Sequence, residues 1–247
     1  MFKSDSTFYY LIGILVFFFV IIYFSVNFYV PFLNSPKSFG FNIQGTRIDP
    51  PNSMYFSAKQ DVKAIIRTSI GDIHIDLFEK TAPKNVNNFI HLSINNYYSG
   101  TSFHRAVEKF LIQGGDRNSV NLNSKLIGKG NTGYFINDEI NWDSLDLTKK
   151  KRDELTAKGF KSTPNLETPK FKRSMVGMAN SGPNTNSSQF FILVDDLEVN
   201  DERLNYLNGR FTPIGIVTSG FETVLEIEKQ ILSFGKMISI RKVDILM

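Results

Sequence analysis

Residues 178–191, MANSGPNTNSSQFF, constrain this chain more than any other stretch. Ser181, Gly182, Pro183, Asn184, Thr185 and Asn186 are turn formers, which favour a fixed φ or a local side-chain-to-backbone bond over a helix or a ladder. Gln189, Phe190 and Phe191 then run into Ile192, Leu193 and Val194, and this apolar, aromatic run predicts a β-strand beginning at about Ser188. An ordered loop that delivers a polar amide and two rings onto a strand suits a surface that grips an extended peptide.

The front of the chain is of another kind. From Ser6 to Pro36 there is no Asp, Glu, Lys, Arg or His, and residues 8–30 form a run of 23 almost wholly apolar residues. A helix rises about 1.5 Å per residue, so this run crosses a hydrocarbon core of roughly 30 Å. Tyr9, Tyr10 and Tyr29 fall near its ends, where an amphipathic ring sits well at the water interface. A cleaved signal peptide would have a shorter apolar region and a small-residue cleavage site, and a core helix would have a polar face. Residues 1–36 therefore predict a short tail and one uncleaved transmembrane helix. Lys3 against Asp5, and Lys37 with Arg47, set no decisive charge asymmetry. The brevity of the tail favours a cytoplasmic N-terminus, with the bulk of the chain extracytoplasmic or lumenal. The absence of cysteine excludes disulfides and thiol catalysis and leaves the compartment open.

Residues 37–60 are rich in Asn, Ser, Pro and Gly without a sustained apolar period and predict a spacer. A folded domain is expected over 61–247. Val62, Ala64 and Ile66 alternate, Gly71 and Asp72 turn, and Ile73, Ile75 and Leu77 alternate again, which predicts a hairpin. Pro83 stands where a first helical residue would, and Val86, Phe89, Ile90 and Ile94 predict a helix ending near Asn95. Two strand-like runs follow at 102–107 and 110–116, with Gly114 and Gly115 marking a bulge or close backbone approach. Residues 128–140 predict a glycine-rich loop leading into a short strand; the spacing of a phosphate-binding loop is absent. Residues 207–215 predict a turn and a strand, Phe221 to Ile231 a second helix, and 238–246 a last strand. Roughly eight short strands with two helices point to a mainly β fold, a closed barrel capped by helices.

Residues 148–173 hold nine Lys/Arg against three Asp/Glu, a charge of +6 in a chain of net +4. Phe160 and Phe171 are their sole aromatics, so a solvated surface is favoured over a nucleic-acid or lipid-headgroup patch, and no nucleic-acid partner is expected. His74, His91 and His104 show no ligand spacing, so neither metal nor cofactor is expected.

FHRAVEKFLIQGGD at 103–116 and MANSGPNTNSSQFFI at 178–192 resemble the signatures of the cyclophilins, the peptidyl-prolyl cis-trans isomerases. The likeness runs over about 62–246, and residues 141–170 look like an insertion found in some bacterial and plastid-type members. It implies an eight-stranded antiparallel barrel with a helix at each end, and rotation about X-Pro bonds of polypeptides. That rotation is opposed by amide resonance of about 18–20 kcal/mol and needs no metal, nucleophile or base. It needs a donor aimed at the proline nitrogen, which regains its lone pair as the amide twists.

By this resemblance Arg105 is the catalytic donor and Gln113 orients it. Phe110, Leu111, Phe191 and Leu207 form the proline cup, while Ala179, Asn180 and Gln189 pair with the extended peptide. Tyr206 and Phe211 occupy the far rim, where the best-known eukaryotic members carry Trp and His, and this change predicts against strong cyclosporin binding. Glu108 and Lys109 replace the family's Pro-Gly before Phe110. His104 is expected to be structural. The chain thus predicts a single-pass membrane isomerase that assists protein folding; the alternative is a non-catalytic module that docks a proline-containing segment of a membrane complex.

Overall fold

A computed structural model describes residues 48–57, 60–196 and 201–247. The expected anchor at 8–30, its tail, and residues 37–47 and 58–59 of the expected spacer lie outside these described residues. Among the described residues no helix is long and apolar enough to cross a membrane.

The elements are β1 (Lys63–Thr68), β2 (Asp72–Leu77), α1 (Pro83–Ile94), β3 (Ser102–Phe103), β4 (Arg105–Val107), β5 (Leu111–Gly114), α2 (Lys149–Ala157), β6 (Met175–Met178), β7 (Phe190–Leu193), α3 (Glu202–Leu207), β8 (Pro213–Ser219), α4 (Phe221–Phe234) and β9 (Ile238–Leu246). The strands form one antiparallel sheet in the order β3-β9-β1-β2-β8-β6-β7-β5-β4.

Among the described residues nine strands stand where eight were expected: β6 was not foreseen, one expected strand is missing, and the run at 102–107 is divided at His104. The run at 102–107 breaks there, so that β3 pairs with β9 while β4 pairs with β5. Its two halves sit at opposite ends of the strand order and are joined by His104, whose N–H donates to the Gln113 carbonyl at 3.0 Å. One bent segment therefore brings the two ends of a nearly closed barrel together. The short strand expected before residue 140 is absent; Ile136 makes only an isolated bridge to Asn186.

Among the described residues four α-helices are found where two were expected in the domain. α3 is short and is capped by Asp201, whose carboxylate accepts from Arg203 N, a start signal masked by the turn-like sequence after it. α2 lies in the basic insertion, where Ile140, Trp142, Leu145, Leu155 and Phe160 form a small core of their own.

Alternation along each strand sends one set of side chains inward, including Ile66, Ile75, Ile112, Ile192 and Val243. Phe190 is the hub of this core, with Phe89, Tyr98 and Phe103 each packed edge-on to it at 5.6–5.8 Å. Such T-shaped contacts set the positive ring edge against a negative face. α1 packs toward β9, and α4 packs against β2, β4, β5 and β9.

α1 begins without a cap of its own, since Ala82 supplies no side-chain acceptor. The buried Glu139 carboxylate takes that role from across the chain, accepting from Lys84 N at 3.1 Å, Asn85 N at 2.9 Å and Asn85 Nδ2 at 2.9 Å. A carboxylate there also complements the helix dipole. Residues 48–56, expected from composition to be spacer, are docked along α1. Tyr55 OH bonds His91 Nδ1 at 2.7 Å, Tyr55 N donates to Asn87 Oδ1 at 2.8 Å, and Ile48, Tyr55 and Phe56 pack on the core.

Candidate active site

A single row of residues crosses four strands. Arg105 on β4 lies opposite Gln113 on β5, Gln113 opposite Phe191 on β7, and Phe191 opposite Gly177 on β6. Residues directly opposite one another share a sheet face. Their neighbours Ile112, Phe190, Ile192, Val176 and Met178 are in the core, so the row stands on the face turned away from it.

Polarity runs one way along the side chains. Arg105 Nη1 donates to Gln113 Oε1 at 2.9 Å, and Gln113 Nε2 donates to Gln189 Oε1 at 2.8 Å. Gln189 Nε2 donates to the carbonyls of Gly130 at 2.8 Å and Gly128 at 3.2 Å. A guanidinium has only donors, so it demands the oxygen of Gln113, and this choice fixes each amide behind it. Asp116, fully buried, anchors the end of the relay by accepting from Gly128 N and Gly130 N. Burial lowers the Arg105 pKa from its ordinary value, and the group stays protonated.

Beside this relay stands an aromatic wall. The Phe191 ring lies 5.6 Å from Phe171 and 5.7 Å from Phe211, and Phe211 lies 5.9 Å from Tyr206. Leu207 is buried, and its carbonyl accepts from Phe211 N at 3.1 Å. Leu111 is buried two residues before Gln113, hence on the same face of β5, opposite Leu193. Phe110 lies at the edge of the site under the Arg203 guanidinium, 5.5 Å from ring centroid to Cζ. The loop after β6 is tied to the same wall: Ala179 N donates to the Gln189 carbonyl at 2.9 Å, and Asn180 Nδ2 to the Arg210 carbonyl at 2.9 Å.

Lys109 adopts φ 50, a left-handed conformation that favours glycine, in the turn closed by Phe110 N to the Val107 carbonyl. Glu228 accepts from Lys109 N at 2.8 Å and Arg203 donates to its carbonyl at 2.9 Å, so outside contacts hold a turn that its own residues disfavour. His104 is held neutral by burial, which lowers its pKa, and its Nε2 is buried with no hydrogen-bond partner.

A cation braced over a sheet face, beside an apolar wall, matches the chemistry of amide rotation. The sequence profile described as "Cyclophilin type peptidyl-prolyl cis-trans isomerase/CLD" matches residues 63–245. The chain belongs to the cyclophilin-type peptidyl-prolyl cis-trans isomerases. It is 38% identical over 167 residues to peptidyl-prolyl cis-trans isomerase CYP18-1 of Arabidopsis thaliana, covering 66% of this chain and 81% of that protein. It is 35% identical over 164 residues to peptidyl-prolyl cis-trans isomerase-like 3 of Gallus gallus, covering 66% and 80%. The crystal structure of a cyclophilin-type isomerase of Cryptosporidium parvum superposes with a TM-score of 0.55 at 29% identity, covering 76% of this chain and 99% of the other. A second structure of that protein, in the presence of the dipeptide Ala-Pro, gives 0.54 at 30% identity, with the same shares covered.

Several residues of this cyclophilin's site escaped the motif-based reading. Gly177 lies on β6, a strand that the sequence reading did not identify. Phe171 lay in a stretch read as surface, and Arg210 in one read as a turn and a strand. Asp138 is buried and clamps the 180–186 loop, accepting from Asn184 N at 2.7 Å and Asn186 Nδ2 at 3.0 Å. Burial raises its pKa to about 6.

Proposed function

We propose that this cyclophilin is a membrane-tethered isomerase whose catalytic donor is Arg105, acting on proline-containing polypeptides on the extracytoplasmic or lumenal side. The observation that carries the assignment is the one-way relay from Arg105 through Gln113 and Gln189 to the glycine-rich loop. A guanidinium pre-aimed in this way gains most when the amide twists and its nitrogen becomes an acceptor, which is differential binding of the transition state. Gln113 orients the donor. Phe191, Phe211, Leu207, Leu111 and Phe110 provide the dry cup for the proline ring, with Tyr206 at the rim, and the backbone of Ala179 and Asn180 with Gln189 takes the extended peptide.

The 23 apolar residues at 8–30 support the tether, and the short tail before them supports the orientation. The site then serves chains folding at that membrane. Tyr206 and Phe211 in place of Trp and His argue against tight cyclosporin binding. The test is isomerisation of an Ala-Pro peptide by the full chain and by Arg105→Ala. A loss of about a hundredfold or more in kcat/KM is expected for removal of such a donor; equal rates would sink the assignment. Protease protection in sealed vesicles tests the tether, and digestion of the domain from the cytoplasmic side overturns the orientation.

A further inference from the structure

The turn that carries the far rim of the pocket is gripped along its length by the insertion. Phe171 N donates to Asn208 Oδ1 at 3.0 Å, and the indole of Trp142 donates to the Gly209 carbonyl at 3.3 Å. Gly209 has φ +90, and a β-carbon there would meet Leu155 Cδ1 at 2.7 Å and Leu147 Cδ1 at 2.8 Å. The small core of the insertion is therefore seated directly on the rim's backbone. Arg210, only 5% exposed, makes the tightest link. Its Nη2 donates to Glu154 Oε1 on α2 at 2.7 Å, its Nη1 to the Tyr206 carbonyl at 2.8 Å, and its guanidinium lies 4.5 Å over the Tyr206 ring.

A buried guanidinium that loses its carboxylate is left as an uncompensated charge and must move toward water. The group it would carry with it is Tyr206, to which it is bonded and stacked. Glu154 is the carboxylate paired with Arg210 among the described residues. Exposed ion pairs elsewhere on α2, such as Lys149 with Asp153, have no such load.

We infer that residues 141–171 are a brace for the substrate pocket, in which Glu154, through Arg210, is a positioning residue that holds Tyr206, Leu207 and Phe211 in place for the proline-containing peptide. This rests on the assignment of those three residues to the pocket. The brace sets how tightly substrate is held and leaves the donor relay untouched, so its loss falls on KM.

Trp142 is the chain's single tryptophan, so its fluorescence reports on the brace alone. The full chain is titrated with a tetrapeptide containing one Ala-Pro bond, following Trp142 emission, with kcat and KM measured by NMR exchange on the same samples. The expected result is a saturable emission change with a midpoint near KM. Glu154→Ala raises KM about tenfold with kcat within about twofold, the pattern of lost ground-state binding. Glu154→Gln, which keeps an oxygen for Arg210, recovers part of that loss, and Lys149→Ala changes nothing. If Glu154→Ala fails to fold, the wild-type titration decides alone. Emission that stays flat while turnover saturates overturns the brace, as does an unchanged KM in folded Glu154→Ala, and both leave the isomerase assignment standing. A wild-type chain that neither binds nor turns over the peptide overturns the assignment of the pocket and the brace with it.

Discussion

Gly177 and Phe191 face each other across β6 and β7 at a distance no side chain could share: a β-carbon on Gly177 would lie 2.5 Å from Phe191 Cζ and 2.9 Å from the Phe171 ring. The missing side chain leaves room for Phe191 against the sheet, in the wall proposed for the pocket. Gly177→Ala must therefore push Phe191 off the row. The expected outcome is a loss of about 1–3 kcal/mol of stability, as for overpacking elsewhere. The fall in kcat/KM should exceed what the stability loss explains, measured at a temperature where the variant is fully folded. Unchanged turnover would show that Phe191 is not part of the cup.

Gln113 and Gln189 act as one relay, so their deletions should not multiply. Each alanine variant is expected to lower kcat/KM about tenfold, and the double variant by little more, with a coupling of about 0.5–3 kcal/mol as for groups in one network. Independent effects would mean that Gln189 serves the peptide and not Arg105.

Glu139 caps a helix that has no cap of its own. Glu139→Ala strips acceptors from Lys84 N, Asn85 N and Asn85 Nδ2 in a buried place. A loss of about 2–4 kcal/mol in chemical denaturation is expected, since each orphaned buried donor costs about 1–3 kcal/mol before relaxation. A loss below about 0.5 kcal/mol would place the cap among the dispensable surface contacts.

Asp138 makes stability depend on pH in an unusual sense for an aspartate. Burial raises its folded pKa from the ordinary 3.8 to about 6. The contribution of the protonated form is complete below pH about 4 and is lost as pH rises through about 6, a change on the order of 2–3 kcal/mol. Denaturation of wild type and Asp138→Asn between pH 4 and 7.5 checks this. The wild type should gain on the variant as the solution is acidified, and a constant difference would refute a raised pKa.

Much of the barrel was legible because its signals are local. The β1–β2 hairpin, α1 behind Pro83, α4 and β9 each follow from a period of two or about 3.6 within a dozen residues. The pair Gly114 and Gly115 marked a close approach, and a β-carbon on Gly115 would indeed lie 2.6 Å from the Ser188 carbonyl. The break at His104 was not legible, because the alternation of 102–107 continues through it while the partners change from β9 to β5. α2 and α3 were missed because a charge-rich stretch and a six-residue helix carry little apolar period.

Sequence by itself determined the residue types of the site: an arginine, two glutamines, a run of aromatics and an ordered loop, held in two long motifs. The barrel decided which of them meet. Arg105, Gln113, Phe191 and Gly177 become one row only through the register of four strands, and that register is a sum of pairings between residues up to 78 positions apart, Gln113 and Phe191. The same holds for the basic insertion, which read as solvated surface because its charges are local and visible. Its contact with the rim is made by Trp142, Leu155 and Glu154 with Gly209 and Arg210, and packing of that kind has no period along the chain for a sequence to show.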